Sequence, residues 1–118
     1  MKIYFVRHGK TQWNQERRLQ GMTGDSPLLP EALVAIAALG DYLADLKFDA
    51  IFSSPSKRAI DTAMILSERN HQPREINKRA ELFEWRLGIF EGMLIDEAVA
   101  KDPENMAAFR HHPEQFWG

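Results

Sequence analysis

Arg7 and His8 end a short apolar run, Ile3–Val6, and Gly9 follows at once. A second arginine, Arg58, closes the string "SSPSKR" at residues 53–58. Two guanidinium groups brought to one place suit a dianion, most simply a phosphate, because each grips phosphate oxygens through a planar fork and never loses its charge. Positive charge around His8 disfavours imidazolium, so the ring is expected to stay neutral between them. A neutral imidazole beside a bound phosphate is a competent nucleophile. The product would be a phosphohistidine, later hydrolysed or passed to a second acceptor. The departing alkoxide then needs a proton from a nearby carboxylic acid. Glu84, in "LFEWRLG", stands between Phe83 and Trp85, and burial among such neighbours favours the protonated form this role requires.

Taken singly, each residue has an ordinary reading. An Arg-His pair at a strand end is usually a surface or capping pair, and an arginine at a helix start is usually solvated. Glu84 alone would be a loop carboxylate. Arg17, Arg18 and Lys57 read most simply as solubilising charge, and His71 as part of an exposed loop. His111 and His112 are adjacent, so their rings diverge and no metal site is expected there. The weight lies in the conjunction.

The elements that must position these groups follow from periodicity. Residues 3–6 form a continuous apolar run, as expected of a strand buried on both faces. Residues 10–30 are polar and rich in turn formers, and read as a long functional loop. Ile36, Leu39, Leu43 and Leu46 recur at helical spacing, which predicts a helix over about 31–46 with Pro30 in its first turn. Phe48–Phe52 is a second strand. Ser56 is a candidate N-cap for a helix lined by Ala59, Ala63 and Leu66. A third strand is expected within 74–82, a helix over 94–101, and another over 104–111. The alternation predicts an α/β fold with a mostly parallel sheet flanked by helices. In such sheets ligands bind beyond the carboxyl ends of the strands, which is where Arg7, His8 and Arg58 would meet.

Bulk properties narrow the field. The chain has 118 residues, 44% hydrophobic and 27% charged, with a net charge of −2. That size supports one compact domain with a core. The charge gives no reason to expect a nucleic-acid or membrane partner. The chain has no cysteine, which removes disulfides, thiolate metal sites and a cysteine nucleophile. No apolar run is long enough for a signal core or a membrane span, so the expected location is the cytoplasm.

The chain resembles the histidine phosphatase superfamily, also called the phosphoglycerate-mutase-like family. The resemblance rests on Arg7-His8-Gly9 within "HGKTQWN" at 8–14, on "RRLQG" at 17–21 and "DSPL" at 25–28, on "SSPSKRAIDTA" at 53–63, and on "LFEWRLGIFEG" at 82–92. It implies His8 as the phosphorylated nucleophile, Arg7 and Arg58 as phosphate clamps, and Glu84 as general acid and then base. It places Thr11, Asn14, Gln20 and Gly21 on the phosphate and substrate side. Neither a metal nor a cofactor is implied, and the partner is a small phosphorylated substrate or free phosphate.

The chain departs from the family pattern in three places. Lys10 stands where the family usually has Glu. Leu29-Pro30-Glu31-Ala32 leaves the following helix without a side-chain cap. The family's second catalytic histidine, on a later strand between the two motif-bearing strands, has no match, and neither His111 nor His112 fits its motif. Residues 1–118 therefore read as the N-terminal portion of one such domain, phosphoglycerate-mutase-like but incomplete, with 93–118 opening its helical insertion. Losing one preorganised donor typically costs on the order of 10²–10³ in rate. The expectation is a chain poorly active alone, whose exposed sheet edges lead to homo-oligomers or rearrangement. A phosphatase is favoured over a phosphoglycerate mutase because the stretch "QGMTGDSPL" is short. A non-catalytic anion-binding or self-assembling domain is the reading from another class.

Overall fold

The computed structural model describes residues 1–22, 24–83, 87–111 and 114. The chain forms two compact units, one of Met1–Thr11 and Pro27–Phe83, the other of Gln12–Ser26 and Glu84–Gly118.

The first unit carries the sheet. Strand β1 (Ile51–Ser53) pairs in parallel with β2 (Ile76–Lys78), Ile51 facing Ile76 and Ser53 facing Lys78. A helix, α3 (Lys57–Arg69), makes the crossover between them, and α2 (Pro30–Tyr42) packs on α3. A parallel pair needs such a crossover, so the predicted α/β class holds.

The two helices differ from their predicted faces. The buried line of α2 is Ala32, Ile36 and Gly40, while Leu39 and Leu46 lie largely at the surface. Gly40 lets α3 come close: a Cβ there would stand 3.0 Å from the Cβ of Arg69. As expected, α2 begins at Leu29 without a side-chain cap and with Pro30 in its first turn. On α3 the buried residues are Arg58, Thr62 and Ser67 rather than the alanines. Polar groups tolerate burial only when bonded. Thr62 Oγ1 donates to the Arg58 carbonyl at 2.8 Å, and Ser67 Oγ donates to the Arg74 carbonyl at 2.7 Å. Ser56 occupies the N-cap position of α3, but its hydroxyl meets Ser54 Oγ at 3.1 Å and makes no cap bond.

Asn70 ends α3 and ties it to the end of α2. Its Nδ2 donates to the carbonyls of Leu43 and Leu46, at 3.1 and 2.9 Å, and its Oδ1 accepts from the Gln72 amide at 2.8 Å. Truncation strands two carbonyls and an amide at a buried position. Asn70→Ala is expected to cost about 1–3 kcal/mol, read as a lower urea midpoint at unchanged slope.

The predicted first strand is the main correction. Residues 3–6 join no sheet, and they are exposed rather than buried on both faces. A strand needs a neighbour to bond its backbone, and among the described residues none bonds this one.

The second unit is built of loops and short helices. Helix α1 (Gln12–Gln15) interrupts the predicted long loop. Residues 17–19 pair antiparallel with 92–95 through Leu19 N–H to Met93 O (2.8 Å), Gly92 N–H to Leu19 O (2.9 Å) and Ile95 N–H to Arg17 O (2.8 Å). Helices α4 (Ile95–Lys101) and α5 (Pro103–His111) match the predicted ones and pack on each other. Their core is Leu87, Phe90, Ala98 and Met106, flanked by Leu19, Met93 and Phe109. Asp102 Oδ1 accepts from the Asn105 amide at 3.1 Å at the start of α5. Among the described residues no helix is long and apolar enough to cross a membrane.

Candidate active site

His8 is partly buried, and its Nδ1 lies 2.7 Å from the carbonyl oxygen of Gly9. A carbonyl only accepts, so this bond requires the proton on Nδ1. In the neutral ring Nε2 then carries the free lone pair, and the tautomer a nucleophile needs is set by the backbone.

Gly9 fixes that backbone from two sides. Its amide donates to Thr62 Oγ1 at 3.0 Å, and Thr62 in turn donates to the Arg58 carbonyl. The turn that carries His8 is thereby tied to the first turns of α3, where Arg58 sits. On the other side a Cβ at position 9 would stand 2.6 Å from Ile36 Cδ1, 3.1 Å from Leu28 Cδ2 and 3.3 Å from the Ala32 Cβ. Glycine is required here by the close approach of α2 and Leu28.

Arg58 is 1% exposed, while Arg7 is at the surface. Burial of a guanidinium is costly unless its charge is matched. Arg58 lies within the first turn of α3, whose amides and dipole favour an anion at the same end. Ser53, at the end of β1, and Ser56, before α3, are also buried. Thr11 is fully buried and bridged to Leu28. Glu84 lies outside the described residues, as does His112. His111 is exposed, and His71 pairs with Asp45 on the surface at 2.8 Å.

In the second unit the remaining candidates belong to one bonded loop. Gln20 Oε1 accepts from Ser26 Oγ at 2.8 Å, and Ser26 Oγ accepts from the Trp13 amide at 3.0 Å. The Gly21 amide donates to Glu91 Oε2 at 3.1 Å. Asn14 is half-buried on α1. Trp13 packs over Gly92, which has φ +76°, and a Cβ there would lie 3.0 Å from Trp13 Cη2. Gly92→Ala combines left-handed strain with that crowding, so a loss of about 1–3 kcal/mol is expected in chemical denaturation. Arg18 is a structural residue rather than solubilising charge: its guanidinium donates to the Gly92 carbonyl at 2.8 Å and pairs with Glu16.

Sequence reasoning missed Thr62, Ser26 and Glu91. Each lies inside a quoted motif, and each is a short polar or acidic residue whose partner is a backbone amide or carbonyl. Composition hides such roles, because a threonine in a helix reads as neutral.

The fold is α/β, with a parallel β–α–β pair whose helix carries the buried Arg58 and is bonded, through Thr62, to Gly9 beside His8. The chain belongs to the histidine phosphatase superfamily (branch 1), whose family model matches residues 3–118. It is 36% identical over 104 residues to an uncharacterised phosphatase, PhoE, of Bacillus subtilis, covering 88% of this chain and 52% of that protein. It is 33% identical over 102 residues to a probable phosphoglycerate mutase, GpmB, of Salmonella choleraesuis, covering 86% of this chain and 46% of that protein. Among solved structures, Bacillus stearothermophilus YhfR superposes with a TM-score of 0.84 at 37% identity, over 95% of this chain and 54% of that one. The fold is phosphoglycerate-mutase-like. The chain spans about half the length of the curated relatives it matches.

Proposed function

We propose that this chain carries the nucleophile and one phosphate clamp of a cytoplasmic phosphomonoesterase acting on small phosphorylated metabolites. The observation that carries the reading is the His8 Nδ1 bond to the Gly9 carbonyl, which leaves Nε2 free as the attacking atom. In the first half-reaction Nε2 attacks phosphorus and the ester P–O bond breaks. Arg58, helped by Arg7, takes up charge on the equatorial oxygens, and Glu84 delivers its proton to the departing oxygen. In the second, Glu84 removes a proton from water as the water attacks phosphorus. The P–N bond breaks, phosphate leaves, and His8 returns neutral. Positioning and electrostatics do most of such work. Thr11, Asn14, Gln20 and Gly21 would contact the phosphate or the rest of the substrate. No step of this scheme calls on a metal.

A phosphoglycerate mutase would use the same intermediate and return the phosphoryl group to substrate. The stretch "QGMTGDSPL" is short and is held by the Ser26–Gln20 bond and by the Gly21 bond to Glu91, which supports the hydrolytic reading over a long loop that excludes water.

The test is phosphoenzyme formation. The chain is mixed with an activated aryl phosphate, quenched in alkali and digested. An acid-labile phosphoryl adduct on the peptide carrying His8, absent in His8→Ala, is the expected result. An adduct on another residue, or one that survives in His8→Ala, would overturn the proposal. A requirement for a bisphosphate primer would favour the mutase.

A further inference from the structure

Thr62 is 4% exposed and lies on α3 one helical turn beyond Arg58. Its hydroxyl has one proton and two lone pairs. The proton goes to the Arg58 carbonyl at 2.8 Å, four residues back along the helix. A lone pair then accepts the Gly9 amide at 3.0 Å, from a segment 53 residues away in sequence. A helical threonine often bonds back to its own helix, and that bond alone satisfies it. The second bond is the unusual one. It places a single oxygen between the backbone of the buried arginine and the backbone beside His8.

Gly9 makes that bond consequential. Glycine has little conformational preference of its own, so its two flanking peptide planes are set by what they bond. Thr62 holds the plane on the His8 side through the amide. The plane on the Lys10 side carries the carbonyl that meets His8 Nδ1 at 2.7 Å. Ile36, Leu28 and Ala32 limit the space around Gly9, but apolar contact is non-directional and does not orient a peptide. The branched side chain of threonine restricts χ1, and on a helix it holds the hydroxyl near the carbonyl four residues back. The oxygen is therefore in place before Gly9 meets it, and burial keeps water from competing for either bond.

We propose that Thr62 is a positioning residue whose hydroxyl sets the His8 imidazole against the Arg58 guanidinium, a role that rests on the reading of His8 as nucleophile and Arg58 as clamp. Thr62 acts through its two backbone partners and not on phosphate itself. Arg58 grips phosphate through its guanidinium, and that grip survives when the hydroxyl goes. The aim of Nε2 at phosphorus does not, because Gly9 is then free to turn and its carbonyl leaves Nδ1. Loss of Thr62 should therefore fall on transfer and spare binding, since only the alignment of the reacting atoms has changed.

The experiment compares Thr62→Val, which keeps the shape and removes both bonds, with Thr62→Ser, which keeps both bonds and removes a methyl group. Single-turnover phosphoenzyme formation from an activated aryl phosphate should fall about 10²-fold in Thr62→Val, while the dissociation constant for inorganic phosphate moves by less than about threefold. Thr62→Ser should keep the rate within about threefold of the parent. Asn70→Ala, which weakens the same helix at its far end, should leave the rate near that of the parent, so that a general loss of stability is told apart from misplacement. Nitrogen-15 NMR gives a readout that needs no turnover. In folded Thr62→Val the Gly9 amide should exchange at least about tenfold faster than in the parent, and the His8 ring should lose part of its preference for the proton on Nδ1. A parental rate and tautomer balance in Thr62→Val would overturn the proposal, as would a loss of rate that Thr62→Ser or Asn70→Ala shares equally. So would a fall in phosphate affinity as large as the fall in rate, or a Gly9 amide in the parent chain that exchanges as fast as an unstructured one, a result that needs no variant. If the parent chain forms no adduct at His8, the proposed activity fails, while the amide and tautomer comparison still decides whether Thr62 places His8.

Discussion

Arg58→Met slows phosphoryl transfer to His8 by about 10²–10³-fold and leaves the melting temperature close to that of the parent chain. Both halves of this expectation follow from burial. Arg58 is 1% exposed at the start of α3, so its charge acts where water screens it least. Charge spreading over the phosphoryl oxygens in the transition state is met there by a donor already in place. Methionine keeps most of the volume and none of the charge. Replacing a buried charge by an apolar side chain of similar size is often neutral for stability, because the desolvation cost disappears with the charge. Arg58→Lys should recover part of the rate, as a point charge without the planar fork. The measurements are single-turnover formation of the phosphoenzyme, phosphate affinity by calorimetry, and thermal unfolding. If the methionine variant transfers phosphate at the parental rate, Arg58 is only a packing residue and the proposed clamp is wrong.

The sequence made the local elements legible and the non-local packing largely illegible. Helices α2 to α5 and strands β1 and β2 appear close to where periodicity and turn formers set them, because those signals are carried by neighbouring residues. The unpaired state of residues 3–6 could not be read in the same way. An apolar run declares that it should be buried, but burial is supplied by a neighbour elsewhere, and the run is the same whether or not that neighbour is present. Gly9 shows a related limit. Its place after His8 says nothing of packing, whereas Ile36, Leu28 and Ala32 occupy the space a side chain would need. Residues far apart in the chain make that demand, so no local pattern announces it. Arg58 was singled out as a site candidate from its motif, but its burial was not expected, since a helix-start arginine is ordinarily solvated. The polar face of α3 has the same origin: Thr62 and Ser67 are buried because they bond to Gly9 and Arg74, and those partners lie in other segments.

Gly9→Ala is expected to lower stability by about 1–3 kcal/mol and to slow phosphoenzyme formation by roughly 10²-fold, a larger loss of rate than the change in folding explains. The new methyl would meet Ile36 Cδ1 at 2.6 Å, a separation that cannot persist, so either α2 or the residue 8–10 turn must shift. Leu28 and Ala32 close the remaining directions, and the Lys10 carbonyl accepts from the Leu29 amide at 2.9 Å, which couples the turn to the start of α2. Movement of the turn swings the Gly9 carbonyl that holds His8 Nδ1, and a misplacement of about 1 Å in a reacting atom is enough for the stated loss of rate. A second substitution separates crowding from any other effect. Ile36→Val removes the Cδ1 atom at a cost of about 0.5–1.5 kcal/mol by itself. In the Gly9→Ala background it should restore part of both stability and rate, giving a favourable coupling energy in a double-mutant cycle. Strict additivity of the two substitutions would mean that the contact with α2 does not set the position of His8. The route from α2 through Gly9 to the imidazole would then have to be abandoned.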